Sequence, residues 1–105
     1  MVSFTAASNV TGMVFDLARV RDMVRSSITP NPSPKGRGES NNRNDSPLFI
    51  VDASQAIPHF RVDVGALDID YLVFTGHKLM ADTGIGILYG KKALLKNLTP
   101  SFSGG

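Results

Sequence analysis

Cysteine is missing from all 105 residues, which removes disulfides, thiolate metal sites and a cysteine nucleophile from anything these residues do alone. Long apolar runs are missing too. No stretch approaches the roughly 18 consecutive apolar residues of a membrane span. Met1-Val2-Ser3-Phe4-Thr5 also lacks the basic segment and long apolar run of a secretory signal, so a soluble cytoplasmic location is the expectation. Charge of one sign is scarce: eleven Lys+Arg against nine Asp+Glu leave +2, too weak and scattered to form a footprint for nucleic acid or a membrane surface. Small charged metabolites remain as ligands. With 42% apolar residues, the chain can build one core and is well under the size at which chains divide into two.

What is present falls into three stretches, 1–25, 26–47 and 48–105. Over residues 14–25, Leu17, Val20 and Val24 recur at helical spacing, with Arg19, Arg21, Asp22 and Arg25 between them, and the spacing predicts one amphipathic helix. From Ser26 to Pro47 the composition turns to Ser, Asn, Pro, Gly and Arg, including Pro30, Pro32, Pro34, Gly36 and Gly38. Such a segment offers little apolar area to offset the entropy of ordering it, and it reads as a flexible insertion between helix and strand. Leu48-Phe49-Ile50-Val51 and Tyr71-Leu72-Val73-Phe74 are short continuous apolar runs, the pattern of strands buried in a parallel sheet. Ile85-Gly86-Ile87-Leu88-Tyr89 is a third strand, and Lys92 to Leu98 starts a helix. The order helix, strand, strand, strand, helix predicts an α/β fold.

Polar residues collect where strands should end. Asp52 follows the first run, and Thr75-Gly76-His77-Lys78 follows the second, which is where ligands gather in open α/β sheets. By composition Lys78 is one of five lysines and reads as a surface amine. Placed after an apolar strand, a small hydroxyl, a glycine and a histidine, it also suits a Schiff-base lysine whose pKa is depressed by burial and a cationic ring. Asp52 is either a turn carboxylate capping backbone amides or the partner of a pyridine nitrogen, keeping that nitrogen protonated so that the ring accepts electrons. Gln55 is a surface glutamine or a donor to a phenolic oxygen of the ring. Thr75, Gly76 and His77 offer a hydroxyl, a close backbone approach and an imidazole to phosphate oxygens, while His77 could equally be satisfied by a backbone carbonyl. His59 has no second ligand at metal spacing and reads as structural or solvent-exposed. Gly36-Arg37-Gly38 with Lys35 lacks the strand and spacing of a phosphate loop. Thr83-Gly84-Ile85-Gly86 enters a strand instead of leaving one, so tight turning explains its glycines.

Taken together, Val51-Asp52-Ala53-Ser54-Gln55-Ala56, Val62-Asp63-Val64, Asp70-Tyr71-Leu72-Val73-Phe74-Thr75-Gly76-His77-Lys78 and Thr83-Gly84-Ile85-Gly86-Ile87-Leu88-Tyr89 resemble the cysteine desulfurase and selenocysteine lyase group of class V aminotransferase-fold, pyridoxal-phosphate enzymes. Ser8-Asn9-Val10-Thr11-Gly12 and the following helix resemble the segment just upstream. The resemblance implies part of an aminotransferase-like large domain (fold type I), a mainly parallel sheet segment with flanking helices. Residues 1–25 and 48–105 would belong to that cofactor domain. It implies that Lys78 carries pyridoxal 5'-phosphate, that Asp52 meets the pyridinium nitrogen and Gln55 the phenolic oxygen, that Thr75 and His77 hold the phosphate, and that Asn9 lies near the ring. Thr75 stands where the family often has serine, which preserves the hydroxyl.

The activity it implies is removal of sulfur from L-cysteine, or selenium from selenocysteine, with a sulfur-acceptor protein and a homodimer in the full-length family. Several family parts are absent: the upstream phosphate loop, the ring-stacking residue, the cysteine loop and the arginine for the substrate carboxylate. An internal fragment from a truncated or interrupted gene is therefore expected, inactive alone. Two other readings stay open, a non-catalytic remnant and a pyridoxal-phosphate lyase or epimerase of the same fold.

Overall fold

The computed structural model describes residues 1–26 and 47–99; most of the expected insertion, with Gly36-Arg37-Gly38, lies outside the described residues. The elements run β1 (Val2–Thr5), α1 (Leu17–Ser26), β2 (Phe49–Asp52), β3 (Tyr71–Thr75), a 3-10 turn (Gly76–Leu79), β4 (Gly86–Gly90) and α2 (Lys92–Leu95). They form one four-stranded sheet in the order β1-β2-β3-β4. β1, β2 and β3 are parallel, with Phe4 opposite Val51 and Val51 opposite Leu72, while β4 returns antiparallel to β3 with Thr75 opposite Gly86. This is the mainly parallel α/β arrangement the sequence predicts.

β1 is an addition to that expectation. Val2 and Phe4 are half-buried and Ser3 and Thr5 exposed, a period-2 alternation over only four residues. The helix also starts later than its periodicity implies. The Asp16 carboxylate accepts the Arg19 N–H at 3.0 Å, capping the first turn. Val14 meanwhile forms an antiparallel bridge with Ala7, and the Phe15 N–H donates to Ala6 O at 3.1 Å. Residues 14 and 15 are thus recruited to the strand side, where the Phe15 ring meets Phe4 edge-on at 5.1 Å.

The core joins Leu17, Val20 and Val24 of α1 to Phe49, Val51 and Leu72 of the sheet, with Ala6, Ala7, Ala53, Ala56 and Ile69 filling around them. Full burial is worth about 1.5–3 kcal/mol for each large side chain, and Arg21 and Arg25 add hydrogen bonds from α1 to Ala66 O, Pro47 O and Asp70.

At the far edge, α2 is one turn where residues 92–98 were expected to start a helix. Gly90 explains how it fits: a Cβ there would lie 2.7 Å from Leu95 Cδ2 and 2.9 Å from Tyr71 Cδ1. Gly90→Ala should therefore cost about 1–3 kcal/mol through overpacking, read as a lower urea midpoint with an unchanged slope.

Candidate functional site

The carboxyl ends of β1, β2 and β3 lie side by side because the three strands are parallel and in register, and a cleft of about 370 Å³ opens beyond them. It is lined by Thr5, Ala7, Ser8, Asn9, Asp52, Ser54, Gln55, Thr75, His77 and Lys78. All six residues singled out as a cofactor site, Asn9, Asp52, Gln55, Thr75, His77 and Lys78, therefore share one cavity of small-molecule size. The sequence reading missed Thr5, Ala7, Ser8 and Ser54. The first three lie on or beside β1, the strand it did not assign, and the alternation of Val2 to Thr5 was the available signal.

The backbone that carries these candidate residues is set by local devices. Asp52 ends β2, and its Oδ1 accepts the Ser54 N–H at 2.9 Å. That bond turns the chain so that Gln55 follows in a bend closed by Ala56 N–H and Ile57 N–H donating to Ala53 O, both at 2.9 Å. Asp52 thus performs the capping task of its bland reading while facing the cleft, and no cation pairs with it among the described residues. Thr75 ends β3. Gly76 is buried against Ile85, where a Cβ would sit 3.1 Å from Ile85 Cβ, and its N–H donates to Ile85 O at 2.9 Å. This close approach starts the 3-10 turn that carries His77 and Lys78, both exposed. Met80 ends the turn at φ 61°, the left-handed region disfavoured for side chains.

The Thr75 hydroxyl oxygen is buried without a hydrogen-bond partner, an uncommon and costly state for a polar atom. Lys78 Nζ makes no hydrogen bond or ion pair among the described residues. An amine, a carboxylate, two amides and an imidazole line one cleft, with the buried, partnerless Thr75 hydroxyl in its wall. That donor and acceptor set fits a phosphorylated, carbonyl-bearing ring with a basic nitrogen.

A second cleft of about 390 Å³ adjoins the first and is lined by Ala7, Ser8, Asn9, Gly12, Val14, Gln55, His59 and Phe60. His59 is exposed, in keeping with one of its two expected roles, and it lies on this neighbouring wall.

Among the described residues, a cluster of four charged side chains lies elsewhere, around the starts of β2 and β3. Asp70 is 5% exposed. Its Oδ2 accepts the Phe49 N–H at 2.8 Å and Arg25 Nη2 at 3.1 Å, and its Oδ1 accepts Lys91 Nζ at 2.6 Å. Asp68 shares both cations. Burial pushes the Asp70 carboxyl up, but hydrogen bonds from Lys91, the Phe49 N–H and Arg25 outweigh it and hold it below its ordinary 3.8. The hydrogen bond from Lys91 does the same for Asp68. Burial pulls Lys91 down, while hydrogen bonds to Asp68 and Asp70 carry it above 10.5.

The mainly parallel α/β sheet with a polar cleft at its strand ends places the chain in the open α/β class, where such clefts are the usual ligand sites. Residues 39–105 match the sequence model of the aminotransferase class-V family, and the chain belongs to that family. It is 52% identical over 58 residues to a probable cysteine desulfurase of Streptomyces coelicolor and 55% identical over 56 residues to a cysteine desulfurase of Serratia proteamaculans. These matches cover 55% and 53% of this chain and 14% of each relative. Among solved structures, the cysteine desulfurase CsdA of Escherichia coli superposes with a TM-score of 0.74 at 38% identity, over 98% of this chain and 21% of that one. The cysteine desulfurase of Thermococcus onnurineus NA1 gives 0.72 at 27% identity, over 99% of this chain and 22% of that one. The chain thus spans about a seventh of the length of the curated relatives it matches.

Proposed function

We propose that this chain is the lysine-bearing part of a pyridoxal-phosphate-dependent cysteine desulfurase site, with L-cysteine or selenocysteine as the substrate of the complete fold. The observation that carries this reading is the convergence of Asn9, Asp52, Gln55, Thr75, His77 and Lys78 on one cleft. The names of the similar proteins support the same reaction. Residues 1–25 and 48–105 form the cofactor domain in this reading, 26–47 is an insertion, and the complete fold acts in the cytoplasm as a homodimer that passes sulfur to an acceptor protein.

Pyridoxal phosphate, when bound, supplies an electron sink for the pair released as a bond to the substrate α-carbon breaks. The residues present would hold it and move protons around it. The Asp52 carboxylate would keep a proton on the ring nitrogen, and Gln55 would donate its amide to the phenolic oxygen. The Thr75 hydroxyl and His77 imidazole would donate to the phosphate. For Thr75 that bond would give a partner to an oxygen that has none in the protein. Asn9 would border the ring and substrate. Lys78 would hold the cofactor covalently through Nζ and, once displaced by the substrate amine, would take and return a proton at the α-carbon. No cysteine is present to receive sulfur as a persulfide, so that nucleophile has to come from outside these residues.

The test is incubation of the folded chain with pyridoxal phosphate, borohydride reduction and peptide mapping. The label should map to Lys78, and the loaded chain should release no sulfide from cysteine at ordinary enzyme rates. A folded sample without label at Lys78 would count against the cofactor site, and sulfide release would count against the need for an outside cysteine.

A further inference from the structure

Asn9 lines both clefts, yet it is exposed, and no hydrogen bond to its side chain exists among the described residues. Its place between the two cavities therefore depends on the backbone of the loop that carries it. Most of the bonds that shape that loop meet at one neighbour, with one more from the Met13 N–H to Thr11 Oγ1 at 3.3 Å. Ser8 Oγ accepts the N–H groups of Val10 at 3.3 Å and Thr11 at 3.2 Å. The Ser8 carbonyl accepts the Gly12 N–H at 3.0 Å, and the Ser8 N–H donates to Met13 O at 2.9 Å. Gly12 turns the chain at φ 70°, and the Ala7–Val14 bridge closes the neck. Four bonds thus converge on Ser8, two of them on its hydroxyl.

We propose that Ser8 is a positioning residue whose hydroxyl fixes the loop so that Asn9 stands as a partition between the cofactor cleft and the cleft beside His59. Without the hydroxyl, the Val10 and Thr11 amides turn to water and the loop regains backbone freedom, so Asn9 samples positions in which it borders neither cavity. This inference rests on the cofactor reading for its binding consequence and on the loop alone for its structural one.

The experiment has one arm for each. In the free full chain, amide relaxation by nitrogen-15 NMR should report residues 9–12 as rigid in the wild type and mobile on the nanosecond timescale in Ser8→Ala, with Ser8→Thr restoring rigidity. In the second arm, pyridoxal phosphate should bind Ser8→Ala about fivefold more weakly, the worth of one hydrogen bond. Ser8→Thr should restore affinity, and Ser8→Ala should add nothing further in an Asn9→Ala background. A merely structural role would weaken binding equally with and without Asn9. Should Ser8→Ala lose the fold by circular dichroism, Gly12→Ala loosens the same loop from its other end. A Cβ has open space there but an unfavourable φ, and the same outcomes apply. Equal rigidity of residues 9–12 in wild type and variant, or additive losses in the double variant, would overturn the proposal. A wild-type chain that takes up no cofactor would sink the function proposed above and leave the relaxation arm to decide this one.

Discussion

Lys78→Gln should abolish borohydride-stable attachment of pyridoxal phosphate while changing the stability of the chain by no more than about 0.5 kcal/mol, as expected of a surface substitution. The two halves of this expectation have separate physical grounds. Lys78 is exposed, and its amine has no partner among the described residues. The turn that carries it is built by other groups. The Gly76 N–H donates to Ile85 O, and the Met80 and Ala81 amides donate to His77 O and Gly76 O at 3.3 and 3.2 Å. Removing the amine therefore deletes the electrophile's target and leaves the scaffold in place. Among the other described lysines, Lys91 is committed to Asp68 and Asp70; Lys92 and Lys96 are exposed on α2 and at its end, outside the cleft lining. Intact mass after reduction should drop by one cofactor adduct relative to wild type, with the urea midpoint unmoved. An adduct retained at wild-type yield in Lys78→Gln would end the assignment of Lys78.

That separation of chemistry from stability also bears on how much of the candidate site was legible in the sequence. Asp52 and Thr75 were legible because each closes an apolar run, and parallel pairing puts the closing ends of neighbouring strands together. Gln55, His77 and Lys78 followed from their spacing to those ends. Asn9 was legible only through resemblance, because the bonds that shape its loop come from Ser8 Oγ and from a strand of four residues. β1 was missed for a related reason. Its alternation covers one inward pair, Val2 and Phe4, and its partner β2 lies nearly fifty residues away, a pairing no local pattern encodes. The late start of α1 had a local cause, Asp16, but also a non-local one, the bridge from Val14 to Ala7. Helical periodicity at 14–25 could not show that the first turn was claimed by the strand side.

Asp70 was legible only as part of a family pattern, and its physical role is one that spacing cannot reveal. It lies in the run leading from the crossover into β3, yet its partners come from the end of α1 (Arg25), the first residue of β2 (Phe49) and the residue joining β4 to α2 (Lys91). One carboxylate thus ties together four elements at the end of the sheet opposite the cleft. Asp70→Ala should cost about 3 kcal/mol, the lower end of what breaking a buried ion pair costs, because Arg25 and Lys91 still reach water. Part of that loss is the Phe49 N–H, which is left buried without an acceptor. For a chain of this size the thermal midpoint should fall by roughly 12–24 °C. Asp70→Asn keeps an acceptor for Phe49 and should cost less.

The pH dependence carries the same signature. Asp68 and Asp70 titrate below their ordinary 3.8 in the fold, so their contribution is complete above that value and is lost as pH falls through the folded ones. Lys91 titrates above 10.5 in the fold, so its contribution is complete below that value and is lost as pH rises through the folded one. The contribution of this cluster to the urea midpoint should therefore be constant between these limits and fall on both sides. In Asp70→Ala the plateau should be lower, and the acid and alkaline declines shallower. An Asp70→Ala chain as stable as wild type at neutral pH would show that the cluster is a solvated charge pattern that contributes nothing to the fold.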